Sequence, residues 1–188
     1  MSSSGSAGSV LAVVALGSNL GDRDSTLRDA VRDLGDVDGV ELVRASAPIE
    51  SVAVGLEGLD ESKPTYLNGA VLVRTTLSAD DLLTELNRIE SEHGRVRLER
   101  WGDRTLDLDM IVHGDTRLDT DRLTLPHPRA AERSFVLEPW LQVDADAELP
   151  GLGRVDEILR ALDEPVAHVA GAPSLAVPLA SRGSGGRA

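Results

Sequence analysis

The chain has 188 residues, a net charge of −13 and no cysteine. Disulfide frameworks, cysteine-held metals and thiol nucleophiles are therefore excluded. The acid excess argues against nucleic acid or an anionic membrane as partner, because both call for a basic surface. The only aromatic residues are Tyr66, Trp101, Phe135 and Trp140, so aliphatic side chains must build the core. All basic residues except Lys63 are arginine, and no Gly-Lys-Ser or Gly-Lys-Thr occurs, which excludes a phosphate-binding P-loop.

Residues 1–9 are rich in Ser, Gly and Ala with no basic residue, which predicts a flexible tail and not a secretory signal. The apolar run at 10–16 is far shorter than the roughly 20 residues of a membrane span, and its β-branched content predicts a buried strand. Leu27, Ala30, Val31 and Leu34 recur at helical spacing behind the candidate caps Asp22 and Asp24, and Gly35 follows. Strands are predicted over 40–46 and 66–75. Ser78-Ala-Asp-Asp81 opens a helix with a stripe of Leu82, Leu83, Leu86 and Ile89, closed by Gly94. A fourth strand is predicted over 105–112, a short apolar helix over 135–141 and a last helix from Val155, Ile158, Leu159 and Leu162.

This order is β-α-β-β-α-β, an α+β ferredoxin-like core with helices on one face of an antiparallel sheet, plus C-terminal helices. A single domain over 10–164 is expected, with 165–188 a disordered tail too poor in apolar residues to order itself. Residues 47–65 and 95–104 match no regular pattern and are expected to be functional loops. Without cysteine or a membrane span, a cytoplasmic monomer is the simplest expectation.

Chemistry concentrates at Thr105-Leu-Asp-Leu-Asp-Met110. Strand side chains alternate, so Asp107 and Asp109 share one side and Leu106, Leu108 and Met110 the other. Two carboxylates about 7 Å apart on one strand face repel each other and call for a cation. Oxygen-only ligands suit Mg²⁺, which keeps waters and shares its shell with substrate phosphates. Immediately upstream, Arg95, Arg97, Arg100 and Arg104 crowd an otherwise acidic chain, and guanidinium groups capture phosphate oxygens in pairs. His127, stiffened by Pro126 and Pro128, could donate to a phosphate. Tyr66 and Asn68, two apart on a strand, offer stacking and an amide to a planar ring.

The segments Ala15-Leu-Gly-Ser-Asn-Leu-Gly21, Tyr66-Leu-Asn-Gly-Ala70, Gly94-Arg-Val-Arg97, Arg100-Trp-Gly-Asp-Arg-Thr-Leu-Asp-Leu-Asp109 and Leu125-Pro-His-Pro-Arg129 occur in this order. Together they closely resemble the 6-hydroxymethyl-7,8-dihydropterin pyrophosphokinases of folate biosynthesis, over about residues 10–160. The resemblance implies transfer of pyrophosphate from ATP to the hydroxymethyl group of the pterin, releasing AMP. It implies two Mg²⁺ ions on Asp107 and Asp109, and catalytic roles for Arg95, Arg104 and His127. ATP would be bound by Asn87, Glu90, Arg97, Arg122, Thr124, His127 and Arg133, with Arg100 and Trp101 in a lid. The pterin would meet Ser51, Val54, Asn68 and Asp107, between the rings of Tyr66 and Phe135.

The chain departs from the family pattern at the shorter Leu98-Glu99 segment, at Pro128 and at Ile49-Glu-Ser-Val-Ala53. Two other readings fit the carboxylate pair. One is a Mg²⁺-dependent nucleotide hydrolase, which leaves the ring-binding residues without use. The other is a ferredoxin-like binding module, which leaves the adjacent carboxylates and arginines without use.

Overall fold

Strand β1, Val10–Ser18, lies between two partners and satisfies its backbone on both edges. It belongs to a computed structural model that describes residues 8–55, 58–60, 64–94, 105–162 and 166–176. Asp22 caps α1, Arg23–Gly35, by accepting from the Ser25 amide at 3.1 Å, and the helix runs through Gly35 instead of ending before it. Strand β2, Val40–Ala45, follows. Next come three short strands in the stretch expected to be irregular: β3 (Ile49–Ser51), β4 (Ala53–Gly55) and β5 (Gly58–Asp60). Strand β6 is Tyr66–Thr75. The Ser78 hydroxyl caps α2, Ala79–Glu92, and Gly94, at φ 77°, turns the chain out of it in the left-handed conformation glycine tolerates.

Strand β7 is Asp107–His113, and β8 (Leu118–Asp119) pairs with β9 (Thr124–Leu125). A 3-10 turn at Ala130–Glu132 leads into α3, Ser134–Val143. Strands β10 (Glu148–Leu149) and β11 (Gly153–Arg154) form a small hairpin before α4, Val155–Ala161, and β12 is Ala167–His168. None of the helices among the described residues is long and apolar enough to cross a membrane.

The main sheet is antiparallel throughout, in the order β12-β3-β6-β1-β7, with β2 also on β6. Its β2-β6-β1-β7 portion is the ferredoxin-like arrangement. Strands β2 and β3 divide one edge of β6, covering Thr75 to Val71 and Asn68 to Tyr66 respectively.

Helices cover both faces, where the sequence predicted one. Ala12, Val14 and Leu16 of β1 join Leu67, Val71 and Val73 of β6 against α1 and α2. The alternate residues Val13, Ala15, Ala70 and Leu72 pack with Val136, Leu137 and Trp140 of α3. A central strand apolar on both faces from Ala12 to Leu16 must be covered twice. Trp140, 2% exposed, fills that second core.

The expected C-terminal tail needs correcting between residues 166 and 176. Strand β12 pairs with β3, and Leu175 is wholly buried in the first core. Composition describes the average of a segment, whereas one well-seated leucine and a strand edge suffice to dock it. Residues 1–7 and 177–188 lie outside the described residues.

Candidate active site

Asp107 and Asp109 project from β7 on the α3 side of the sheet, while Leu106, Leu108 and Met110 are buried on the α1/α2 side, as alternation predicts. Strand β7 is an edge strand, and the outward amide of Leu108, between the two aspartates, is held by Glu90 of α2. Its Oε1 accepts that N–H at 2.8 Å. Glu90 is 2% exposed, so the structure gives it a backbone-bracing place in the protein interior instead of an open nucleotide-facing one.

Among the described residues, His127 and Arg133 are basic neighbours of the carboxylate pair. His127 is positioned by its own amide, which donates to the Ile111 carbonyl at 2.9 Å, and it follows the cis Leu125–Pro126 bond. The Arg129 amide donates to His127 Nδ1 at 3.2 Å, so in the neutral ring the proton resides on Nε2. That Nε2 lies 4.0 Å from Asp109 Oδ2. Burial holds the His127 pKa below the ordinary histidine value. Arg133 and Arg129 push the same way, against Asp109 and Asp107. Burial thus favours the neutral ring, which presents one N–H donor. Arg133 reaches within 3.7 Å of the same Asp109 oxygen and stands 5.7 Å from the centre of the Phe135 ring.

Register joins these groups to a second cluster. Asp107 is opposite Gly17 on β1, and Gly17 is opposite Asn68 on β6. A side chain at Gly17 would point between Asn68 Oδ1, 3.4 Å from its Cβ position, and the Tyr66 ring at 3.8 Å. Glycine therefore leaves an open floor between carboxylates and ring. Asn68 is 5% exposed and donates from Nδ2 to Ser51 Oγ on β3 at 2.8 Å. Tyr66 and Phe135 are both half-buried. Val54 lies on β4, whose backbone pairs with β5. Arg23 braces the approach to Tyr66, donating to the Thr65 carbonyl at 2.7 Å and to Glu50 at 3.0 Å.

A third group lies along α2 and β9. Arg122 donates to Thr84 Oγ1 at 2.7 Å, one turn before Asn87, whose Nδ2 donates to the Leu83 carbonyl. Thr124 donates to Asp119 at 3.4 Å. Arg95, Arg97, Arg100, Trp101 and Arg104 fall outside the described residues. Sequence reasoning missed Gly17, Arg23 and Thr84. Only Gly17 carried a signal, in the Gly-Ser-Asn-Leu-Gly run. A surface groove of about 530 Å³ beside α2 is lined by Asp36, Asp38, Asp81 and Glu85 together with Thr84 and a single cation, Arg88, an acid excess that disfavours polyphosphate.

Carboxylates, a donor imidazole, the Asn68 amide and the Tyr66 ring thus share one face of the sheet. Residues 13–145 match the family model of 7,8-dihydro-6-hydroxymethylpterin-pyrophosphokinase. The chain belongs to this pyrophosphokinase family. It is 43% identical over 143 residues to the 2-amino-4-hydroxy-6-hydroxymethyldihydropteridine pyrophosphokinase of Synechocystis, covering 76% of this chain and 71% of that one. The Haemophilus influenzae protein of the same name is 37% identical over 151 residues, covering 80% and 92%. The fold is similar to that of wild-type Plasmodium falciparum HPPK-DHPS with pteroate, at TM-score 0.61 and 12% identity over 81% of this chain. The chain spans 44% of that longer protein.

Proposed function

We propose that the site transfers the pyrophosphoryl group of ATP to the hydroxymethyl oxygen of 6-hydroxymethyl-7,8-dihydropterin, giving AMP and the pterin diphosphate. The observation that carries this reading is the row Asp107, Gly17, Asn68 across three adjacent strands, where glycine separates the carboxylate from the Asn68 amide and the Tyr66 ring and so supports a flat substrate beside the carboxylate pair. Family membership supports the same substrates.

In this reading Asp107 and Asp109 hold two Mg²⁺ ions. Among the described residues no third His, Cys, Asp or Glu completes a protein cage, which fits an ion that takes its remaining ligands from water and phosphate. Bound Mg²⁺ supplies Lewis-acid neutralisation of the phosphate oxygens. His127 donates its Nε2 proton to a phosphate oxygen without adding a full charge. Arg133 contributes a fixed positive charge, and Arg95, Arg97, Arg100 and Arg104 extend that field along the triphosphate. One charge pair at 4 Å in an effective dielectric near 20 is worth about 4 kcal/mol, so several such groups supply a large part of an enzymatic barrier reduction. Trp101 belongs to the lid that excludes water. Asn87, Arg122 and Thr124 form the nucleotide wall, with Glu90 acting from behind it.

The pterin ring lies between Tyr66 and Phe135, with Asn68 bonding its edge and Ser51 and Val54 beside it. Ser51 orients the Asn68 amide through its hydroxyl. The hydroxymethyl oxygen then attacks the β-phosphorus as the bond to the α–β bridging oxygen breaks, AMP leaves, the hydroxyl proton is released to solvent, and no covalent enzyme intermediate is required. The acidic, cysteine-free chain suits a cytoplasmic monomer.

Product analysis tests the reading. Incubation with ATP, Mg²⁺ and the hydroxymethyl pterin is expected to yield AMP and pterin diphosphate in equal amounts. Formation of ADP, or of free pyrophosphate in place of the pterin product, overturns it and favours hydrolysis.

A further inference from the structure

The family match ends at residue 145, yet the chain returns to the sheet twenty residues later. Residues 166–176 begin on the outer edge of β3, where Ala167 pairs with Glu50 and His168 with Ile49. His168 also reaches Glu138 of α3 at 3.4 Å. The segment then crosses to the opposite face. Arg28 of α1 grips it there, donating to the Ser174 carbonyl at 2.8 Å, and Ser174 donates its hydroxyl to the Ala45 carbonyl at 2.6 Å.

Its end is a plug. The Leu175 amide donates to the Ser46 carbonyl at 2.7 Å, and the Leu175 side chain is fully buried. It fills the gap where β2 leaves β6 and β3 has yet to join. Gly69, at that break, makes the seat, because a methyl group there would overlap Leu175 Cδ1 and lie 3.2 Å from Ser46 Oγ. Gly69 directly follows Asn68, the residue that Ser51 of β3 orients from the other face.

A three-residue strand on a sheet edge has few bonds of its own to set its register. Here β3 receives a partner on its free edge, and the break at its root is filled by one buried leucine. We propose that residues 166–176 are a strap that registers β3, and that Leu175 is thereby a positioning residue for the pterin half of the site. The strap leaves the phosphate half untouched, since Asp107, Asp109 and His127 lie on or beside β7 at the other edge of the sheet. The inference rests on the pterin reading given above.

The test compares the full chain with Leu175→Ala, Gly69→Ala, the double variant and a chain ending at residue 165. Steady-state KM is measured for each substrate, and amide hydrogen exchange at residues 49–51 is measured in the ligand-free protein. Misplacing a binding group by a fraction of an ångström is expected to raise the pterin KM about tenfold in Leu175→Ala, with the ATP KM within about twofold of normal. Exchange at 49–51 should accelerate while that of β7 does not. Gly69→Ala alone, which forces Leu175 Cδ1 to move, should shift both readouts in the same direction by less than Leu175→Ala, and adding it to Leu175→Ala should cause no further loss.

Unchanged exchange at 49–51 overturns the strap, as does a parallel rise of both KM values, which marks general loosening. Faster exchange with an unmoved pterin KM overturns its link to the site. If the shortened chain does not fold, the two point variants decide. Should the unaltered chain not use the pterin at all, the substrate reading has failed, and the exchange experiment still decides whether the strap registers β3.

Discussion

The two faces of the central sheet are made from the same strands and do different work. Toward α1 and α2, β1, β6 and β7 present Leu16, Leu67 and Leu108, and this face is closed by aliphatic packing, with the buried Glu90 holding the Leu108 amide. On the other face the neighbouring positions are Gly17, Asn68 and Asp107, one step along each strand. That face is packed under α3 at one end, by Val13, Leu72 and Trp140, and carries the site at the other. A period of two thus separates stability from chemistry, because adjacent residues cannot share a side. Substitutions on the two faces are therefore expected to move different observables.

The largest expected effect is on the packed face. Leu86→Ala removes a side chain 1% exposed between α2 and the sheet and should cost about 3–4 kcal/mol of stability in denaturant unfolding. Turnover per folded molecule should stay near normal. Asp109→Ala, on the other face, should lower turnover at least about a hundredfold, the scale on which losing one key electrostatic element is felt. Its melting temperature should hardly change, because Asp109 buries no apolar surface. Near-normal turnover would break the contrast and the carboxylate assignment with it.

Phe135 sits at the boundary of the two regimes, half-buried beside the second core and within reach of Arg133. Phe135→Ala is expected to lower kcat/KM for the pterin about tenfold to thirtyfold and stability by about 1 kcal/mol, the loss of a ring contact exceeding the loss of partial burial. Equal losses would make Phe135 a packing residue.

The smallest effect expected is a pH dependence of ligand-free stability. His127 binds its proton more weakly folded than unfolded. Its neutral form therefore contributes stability that is fully present above the ordinary pKa of 6.5 and is lost as pH falls from there through the lower folded value. His127→Gln should flatten the unfolding free energy across that window, and an unchanged slope would remove the histidine from the account.

Much of the fold was legible along the chain. The Leu27, Ala30, Val31, Leu34 stripe is buried as its spacing predicts, as are Leu82, Leu86 and Ile89 of the second stripe, with Leu83 only half-buried beside them, and Asp22 and Ser78 cap where capping chemistry expects them. Asp107 and Asp109 share a face for the reason read from alternation. Strand β3 was not legible, because three residues are too few to show a period. Its existence depends on Asn68 to Tyr66 offering an open edge. Glu90 was legible as a polar residue on α2 but not as the acceptor for Leu108, since that contact depends on how the helix lies against an edge strand.

By itself the sequence determined the quantities that depend on neighbours in the chain: helical stripes, caps, strand alternation, an aliphatic core and the order of motifs that marks the pyrophosphokinase family. Only the tertiary structure decided which strands sit side by side. Across that pairing Gly17 became the floor between Asp107 and Asn68, Ser51 the partner of Asn68, and Leu175 a core residue seated on Gly69. The physical reason is that side-chain direction along a strand is local, whereas a site that spans three strands is set by register, which is chosen by packing both faces of the sheet at once.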